Sequence, residues 1–262
     1  MSFYANVDFG PFFIAYCFYI TVFVLAEFAR KLVDRYVPPN KLTYTFCIEA
    51  IATAQMCTCV YENVGYFFVV TTLLLAGGAM NRGAFVSPLK PIEMFYFGSI
   101  DSDRLLSVLA GEFLGGYSAY RLARQLWYWS LNLATDHASS YATTHCKLMY
   151  KVPFSYAFTF EIFACFLIRT IVTRLPIKTT RYAVPLILSG FLTFALTFIG
   201  VPGLNPTIAS SRLQGCDGLD TKWFILTYWI CPTIGWMLSA IVDNRLKAGS
   251  KLTGKAASQK AE

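Results

Sequence analysis

The chain is short of charge. Asp, Glu, Lys and Arg make up 14% of its 262 residues, against roughly 25% in a typical soluble domain. Histidine is nearly missing, with His137 and His145 the whole supply. That is too little for a His-built metal site or for a nucleophile–His–acid set, so an enzyme ranks last among the functions, and no metal or cofactor is implied. There is no usable Asn-x-Ser/Thr sequon, because Pro206 stands between Asn205 and Thr207. The eight cysteines do not read as a disulfide framework. Cys17, Cys47, Cys57, Cys59, Cys165 and Cys231 lie inside apolar runs, where Cys behaves as a small hydrophobe. Only Cys146 and Cys216 fall in polar connections.

What is present is apolar. Hydrophobic residues make up 56% and aromatics 17%, and mean hydropathy is +0.49. Long apolar runs alternate with short polar gaps, the pattern of a chain whose solvent is membrane lipid. A crossing helix needs about 20 mostly apolar residues. Candidate spans are 10–29, 43–60, 64–80, 104–126, 153–173, 183–200 and 222–242. The first has no Lys or Arg before Arg30 and no small-residue cleavage site, so an uncleaved helix is expected rather than a signal peptide.

The net charge of +7 is not gathered into one basic domain, which argues against nucleic acid. It lies at the ends of apolar runs: Arg30, Lys31, Arg35 and Lys41; Arg174, Lys178 and Arg181; Arg245, Lys247, Lys251, Lys255 and Lys260. Seven crossings place all three clusters on one side, the cytosolic side by the positive-inside rule. The loop 127–152, with His137, His145, Lys147 and Lys151, then lies opposite. The C-terminus is expected to be cytosolic, with a basic, flexible tail over 245–262.

Spans two to four resemble spans five to seven. Glu49-Ala50-Ile51-Ala52 pairs with Glu161-Ile162-Phe163-Ala164, Val86-Ser87-Pro88-Leu89 with Leu204-Asn205-Pro206-Thr207, and Gly115 with Gly235, at offsets of 112, 118 and 120 residues. Halves with an odd number of spans sit upside down relative to each other, as in many transport proteins. In each Ser/Asn-Pro element, Ser or Asn suits a helix N-cap and Pro the first helical position. Each therefore reads as the start of a half-helix dipping into the membrane, tolerated there only against protein or a wet cavity. Two such starts place two positive dipole ends at the midplane, where they repel cations and orient neutral solutes.

These residues resemble the aquaporin (major intrinsic protein) superfamily, most closely its divergent, unorthodox branch. The likeness rests on Gly203-Leu204-Asn205-Pro206-Thr207, on Tyr228 to Gly235, on Glu49 to Cys59, on Tyr120 to Trp127, and on Cys216, nine residues after Thr207. It covers roughly 42–242. It implies an all-α membrane fold: an inverted repeat of two three-helix halves, each with a re-entrant half-helix, here with an extra N-terminal helix. The expected organisation is 1–41 for that helix and a basic loop, 42–126 for the first repeat, 127–152 for the non-cytosolic loop, 153–244 for the second repeat and 245–262 for the tail. The first pore motif would be Ser87, Pro88 and Leu89, where the family has Asn-Pro-Ala, with Ser87 as cap and Pro91 beginning to cost a helical bond. The second would be Asn205, Pro206 and Thr207. Ile208 stands where tight-filter members place Arg, and Arg212 follows one turn deeper; both are filter candidates. Glu49 and Glu161 resemble the family's buried carboxylates, which hold loop backbone; a proton relay is the other reading. Glu27 and Glu62 are expected at the interface. Cys216 has two readings: a structural thiol that packs or bonds locally, or an accessible thiol near the pore mouth with a role in folding or assembly.

The function so implied is a passive channel for water or small neutral solutes such as glycerol or hydrogen peroxide, assembled as a homotetramer in the endoplasmic reticulum or plasma membrane. The alternatives are a non-conducting structural or interaction protein of the same fold, and an ion-coupled transporter using Glu49 or Glu161.

Overall fold

The computed structural model describes residues 10–62, 66–143, 146–201 and 203–259; His145 and Lys260 lie outside the described residues. The chain folds as α1 (Gly10–Tyr36), α2 (Leu42–Val60), α3 (Tyr66–Met80), α4 (Leu89–Tyr96), α5 (Ser102–Trp129), α6 (Thr135–Ala142), α7 (Phe154–Val172), α8 (Ile177–Phe194), α9 (Pro206–Leu213), α10 (Thr221–Ile225) and α11 (Cys231–Gln259). A π-helical turn over Ala195–Ile199 extends α8, and another over Leu226–Ile230 joins α10 to α11. The seven apolar runs are α1, α2, α3, α5, α7, α8 and the continuous α10–α11.

Among the described residues, four helical stretches are long and apolar enough to cross a bilayer by themselves: Phe12–Tyr36, Phe154–Val172, Ile177–Ile199 and Thr221–Lys247. Helices α2 and α5 are more polar, and they hide that polarity against protein. Glu49, Thr53, Gln55 and Thr58 of α2 and Glu112 of α5 are all buried. The two backbones touch closely, because a Cβ on Gly115 would strike the Ala50 carbonyl. Gly235 does the same for α11 against the Ile162 carbonyl of α7. Small residues that let backbones approach are how membrane helices gain packing without a hydrophobic drive. The matched glycines thus close each half in the same way.

Core clusters then knit the halves together. Phe18 and Val22 of α1 pack with Ala52, Met56, Leu73 and Val86. Leu89, at the start of α4, packs instead with Ala164, Cys165 and Ile168 of α7. The first half-helix is therefore anchored in the second half of the chain.

One expectation at the N-terminal end needs correction. The first span is predicted to stop near residue 29, but α1 runs to Tyr36 with Arg30 fully buried. Its guanidinium donates to Gln55 at 2.6 Å and Asn81 at 2.9 Å, so the helix can carry it into the protein. At the other end, the basic tail is helical backbone as far as Gln259.

On the face opposite the α1–α2 loop, Cys146 and Cys216 form a disulfide across 70 residues, with Cα atoms 4.8 Å apart. The Leu148 N–H donates to the Asp217 carbonyl and the Asp217 N–H to the Cys146 carbonyl, so the two loops run as a short ladder. Nearby, Tyr150 shares a 2.9 Å hydrogen bond with Tyr228, and burial raises the Tyr150 hydroxyl above its usual range.

Candidate functional site

The two half-helix starts are built alike one residue ahead of each motif. Val86 and Leu204 both take positive φ, 57° and 66°, a conformation that costs a non-glycine residue about 1–3 kcal/mol. Buried carboxylates hold these turns. Glu49 accepts the Phe85 and Val86 N–H groups at 2.8 and 3.2 Å, and Glu161 accepts the Leu204 N–H at 2.7 Å. The carboxylates therefore grip loop N–H groups directly. Gly203 leaves the room this needs, since a Cβ there would strike the Glu161 carboxylate.

Beyond the turns the starts diverge. Asn205 is an extended N-cap whose Oδ1 accepts from the Thr207 and Ile208 N–H groups at 3.0 and 3.5 Å, with Pro206 following at the first helical position. Its Nδ2 donates to the Val86 carbonyl at 2.8 Å. One amide thus caps α9 and ties the second start to the first. Ser87 does not cap α4. Pro88 itself occupies the N-cap, and no side-chain cap bond is present there among the described residues. Helix α4 consequently begins at Leu89, which makes Pro91 its third residue. The N–H at that position has no intrahelical partner in any helix, so Pro91 costs no bond.

Between the starts lies a cavity of about 250 Å³ with almost wholly apolar walls. Ser87, Leu89, Asn205, Ile208 and Arg212 all border it, while Pro88, Pro206 and Thr207 are buried behind them. Arg212 also borders a second, open cavity of about 990 Å³ between α5 and α9, with Arg121 and Arg124 on its wall. The sequence reading missed Lys90, which lines the apolar cavity and pairs with Glu93 at 3.1 Å. Lys90 directly follows the first triplet as Ile208 follows the second, so the repeat offset pointed to it. Glu93 is also held by Arg169 at 3.0 Å and by the Trp236 indole at 2.7 Å.

Cys216 is buried and bonded to Cys146, the structural of its two readings. Two other expectations change. Glu62 is buried rather than interfacial, 3.1 Å from His137, whose other ring nitrogen lies 2.6 Å from Ser130. Cys17, expected to be packed, is exposed. Glu27 is partly exposed and paired with Arg82 at 3.0 Å. The sequence also missed Glu112, buried on α5 and accepting the Thr207 hydroxyl at 2.9 Å.

Two short helices meeting start to start inside an all-helical bundle define a multi-pass membrane protein built around a central passage. No family model matches the chain. It is similar to aquaporin-10 of Caenorhabditis elegans, 35% identical over 255 residues, spanning 94% of this chain and 91% of that protein. It is also similar to aquaporin-11 of Milnesium tardigradum, 32% identical over 130 residues and about half of each chain (48% and 45%), and to aquaporin-11 of Equus caballus, 24% identical over 246 residues and 85% and 86% of the two chains. The chain belongs to the aquaporin superfamily, in the unorthodox branch that these relatives represent.

Proposed function

We propose that the chain is a passive channel for water and small neutral solutes, including glycerol and hydrogen peroxide, with selectivity set by an apolar lumen rather than by a tight cationic filter. The observation that carries this reading is the apolar cavity bordered by both half-helix starts, with the Asn205 amide bridging them. Positive helix ends at that point disfavour cations. Ile208 directly after the second triplet leaves an apolar wall there, which favours neutral solutes over ions because an apolar wall does not replace lost hydration.

The orientation we propose has the C-terminus in the cytosol. The Cys146–Cys216 disulfide supports it, because disulfides persist in oxidising compartments and this one joins the loops on the side away from the basic clusters. The endoplasmic reticulum and the plasma membrane both offer that arrangement. Assembly as a homotetramer, one pore per subunit, rests on family membership.

Stopped-flow light scattering on proteoliposomes tests the function. Water, glycerol and hydrogen peroxide fluxes above those of empty liposomes are expected, with a low activation energy for water. Flux equal to that of empty liposomes for all three would move the non-conducting interaction protein to first place.

A further inference from the structure

The family pattern gives each pore triplet an Ala at its third place. This chain has Leu89 and Thr207 there. Leu89 packs into the α7 cluster, but a hydroxyl at position 207 would gain nothing from an apolar site. Its partner is Glu112. The Thr207 Oγ1 donates to the Glu112 Oε2 at 2.9 Å, and both side chains are almost completely buried.

The first motif is held separately, since the Phe85 and Val86 N–H groups go to Glu49. Glu112 borders the cavity behind α9, not the apolar cavity. It acts on the lumen wall from outside.

We propose that Glu112 is a positioning residue for the pore, locking the second half-helix through Thr207, and that Thr207 replaces the family's Ala as its obligatory donor. The inference rests on the channel reading only for its flux readout.

A double-mutant cycle tests it. Thr207→Val removes the hydroxyl at nearly constant shape; Thr207→Ser keeps it; Glu112→Ala removes the acceptor. Purified protein is scored for unfolding temperature in mild detergent, and proteoliposomes are scored for water flux and for the glycerol-to-water ratio. Thr207→Val is expected to lower the unfolding temperature, reduce water flux severalfold and shift the solute ratio, whereas Thr207→Ser retains wild-type values. In the Glu112→Ala background, Thr207→Val is expected to add almost nothing. If Thr207→Val fails to fold while Thr207→Ser folds, the hydroxyl is the essential group, as proposed. Thr207→Val equal to wild type, or effects of Thr207→Val and Glu112→Ala that simply add, would overturn the proposal. The unfolding cycle reads the coupling even if wild-type liposomes do not conduct; that result would remove the channel reading and leave the Glu112 lock to be judged by stability alone.

Discussion

Asn205 serves two ends with one amide. Its oxygen caps α9, and its nitrogen holds the Val86 carbonyl of the opposite motif. Asn205→Ala loses both, with the cap alone worth about 1 kcal/mol. Asn205→Asp keeps the cap but turns a second oxygen toward a carbonyl. Both variants are expected to lower water flux severalfold in matched proteoliposomes, and Asp should unfold at the higher temperature of the two. Wild-type flux in both would show that this residue does not shape a conducting passage. Lys90 is the other residue to test. It borders the cavity that Arg212 also lines, and a cationic side chain there adds to cation repulsion. In Lys90→Met, Glu93 keeps Arg169 and Trp236 as partners, so folding should survive. A severalfold rise in cation leak, read with an internal dye, is expected; an unchanged leak would deny Lys90 a role in selectivity.

At the scale of elements, the seven apolar runs were legible because a bilayer fixes the length each crossing must have. The half-helix starts were legible because Ser87-Pro88 and Asn205-Pro206 stand at matched places of the repeat, whereas either alone reads as an ordinary turn. What the sequence hid is pairing across distance. Arg30 reads as a flanking topology charge until Gln55 and Asn81 are seen to receive it. Glu62 reads as interfacial until His137 of α6 is brought against it. Pro91 and Ser87 were misread for a smaller reason: the start of α4 lies at Leu89, and the position of a helix start decides which N–H groups are free. Arg30 also explains how an additional helix is fastened to the bundle. Arg30→Met leaves the Gln55 and Asn81 oxygens without their donor, and buried acceptors so orphaned cost about 1–3 kcal/mol. A lower unfolding temperature is expected, and Arg30→Lys should recover part of it, because both bonds leave from one nitrogen, Nη2, and an ammonium also carries more than one donor. A stability equal to wild type would show that α1 is held by its apolar face alone. The outer loops are fastened covalently. Cys146→Ser, Cys216→Ser and the double variant are each expected to lose the same stability, about 2–4 kcal/mol. An effect confined to Cys216→Ser would mean that this thiol acts by itself.

For the whole molecule, the halves are exchanged rather than stacked. Leu89 of the first half-helix packs on α7, while Ile208 of the second packs on the cluster around Val86. Each short helix is thus held by a carboxylate of its own half and packed against the other half, and the passage lies where the two meet. The central claim is that solute crosses between the two half-helix starts. Ile208 borders that cavity, so Ile208→Trp puts an indole into a space of about 250 Å³. The decisive measurement is water flux of wild type and Ile208→Trp in liposomes at equal protein density, with unfolding temperatures confirming that both are folded. The account predicts clear flux for wild type and flux at the level of empty liposomes for Ile208→Trp. Undiminished flux through folded Ile208→Trp would place the passage elsewhere and contradict it.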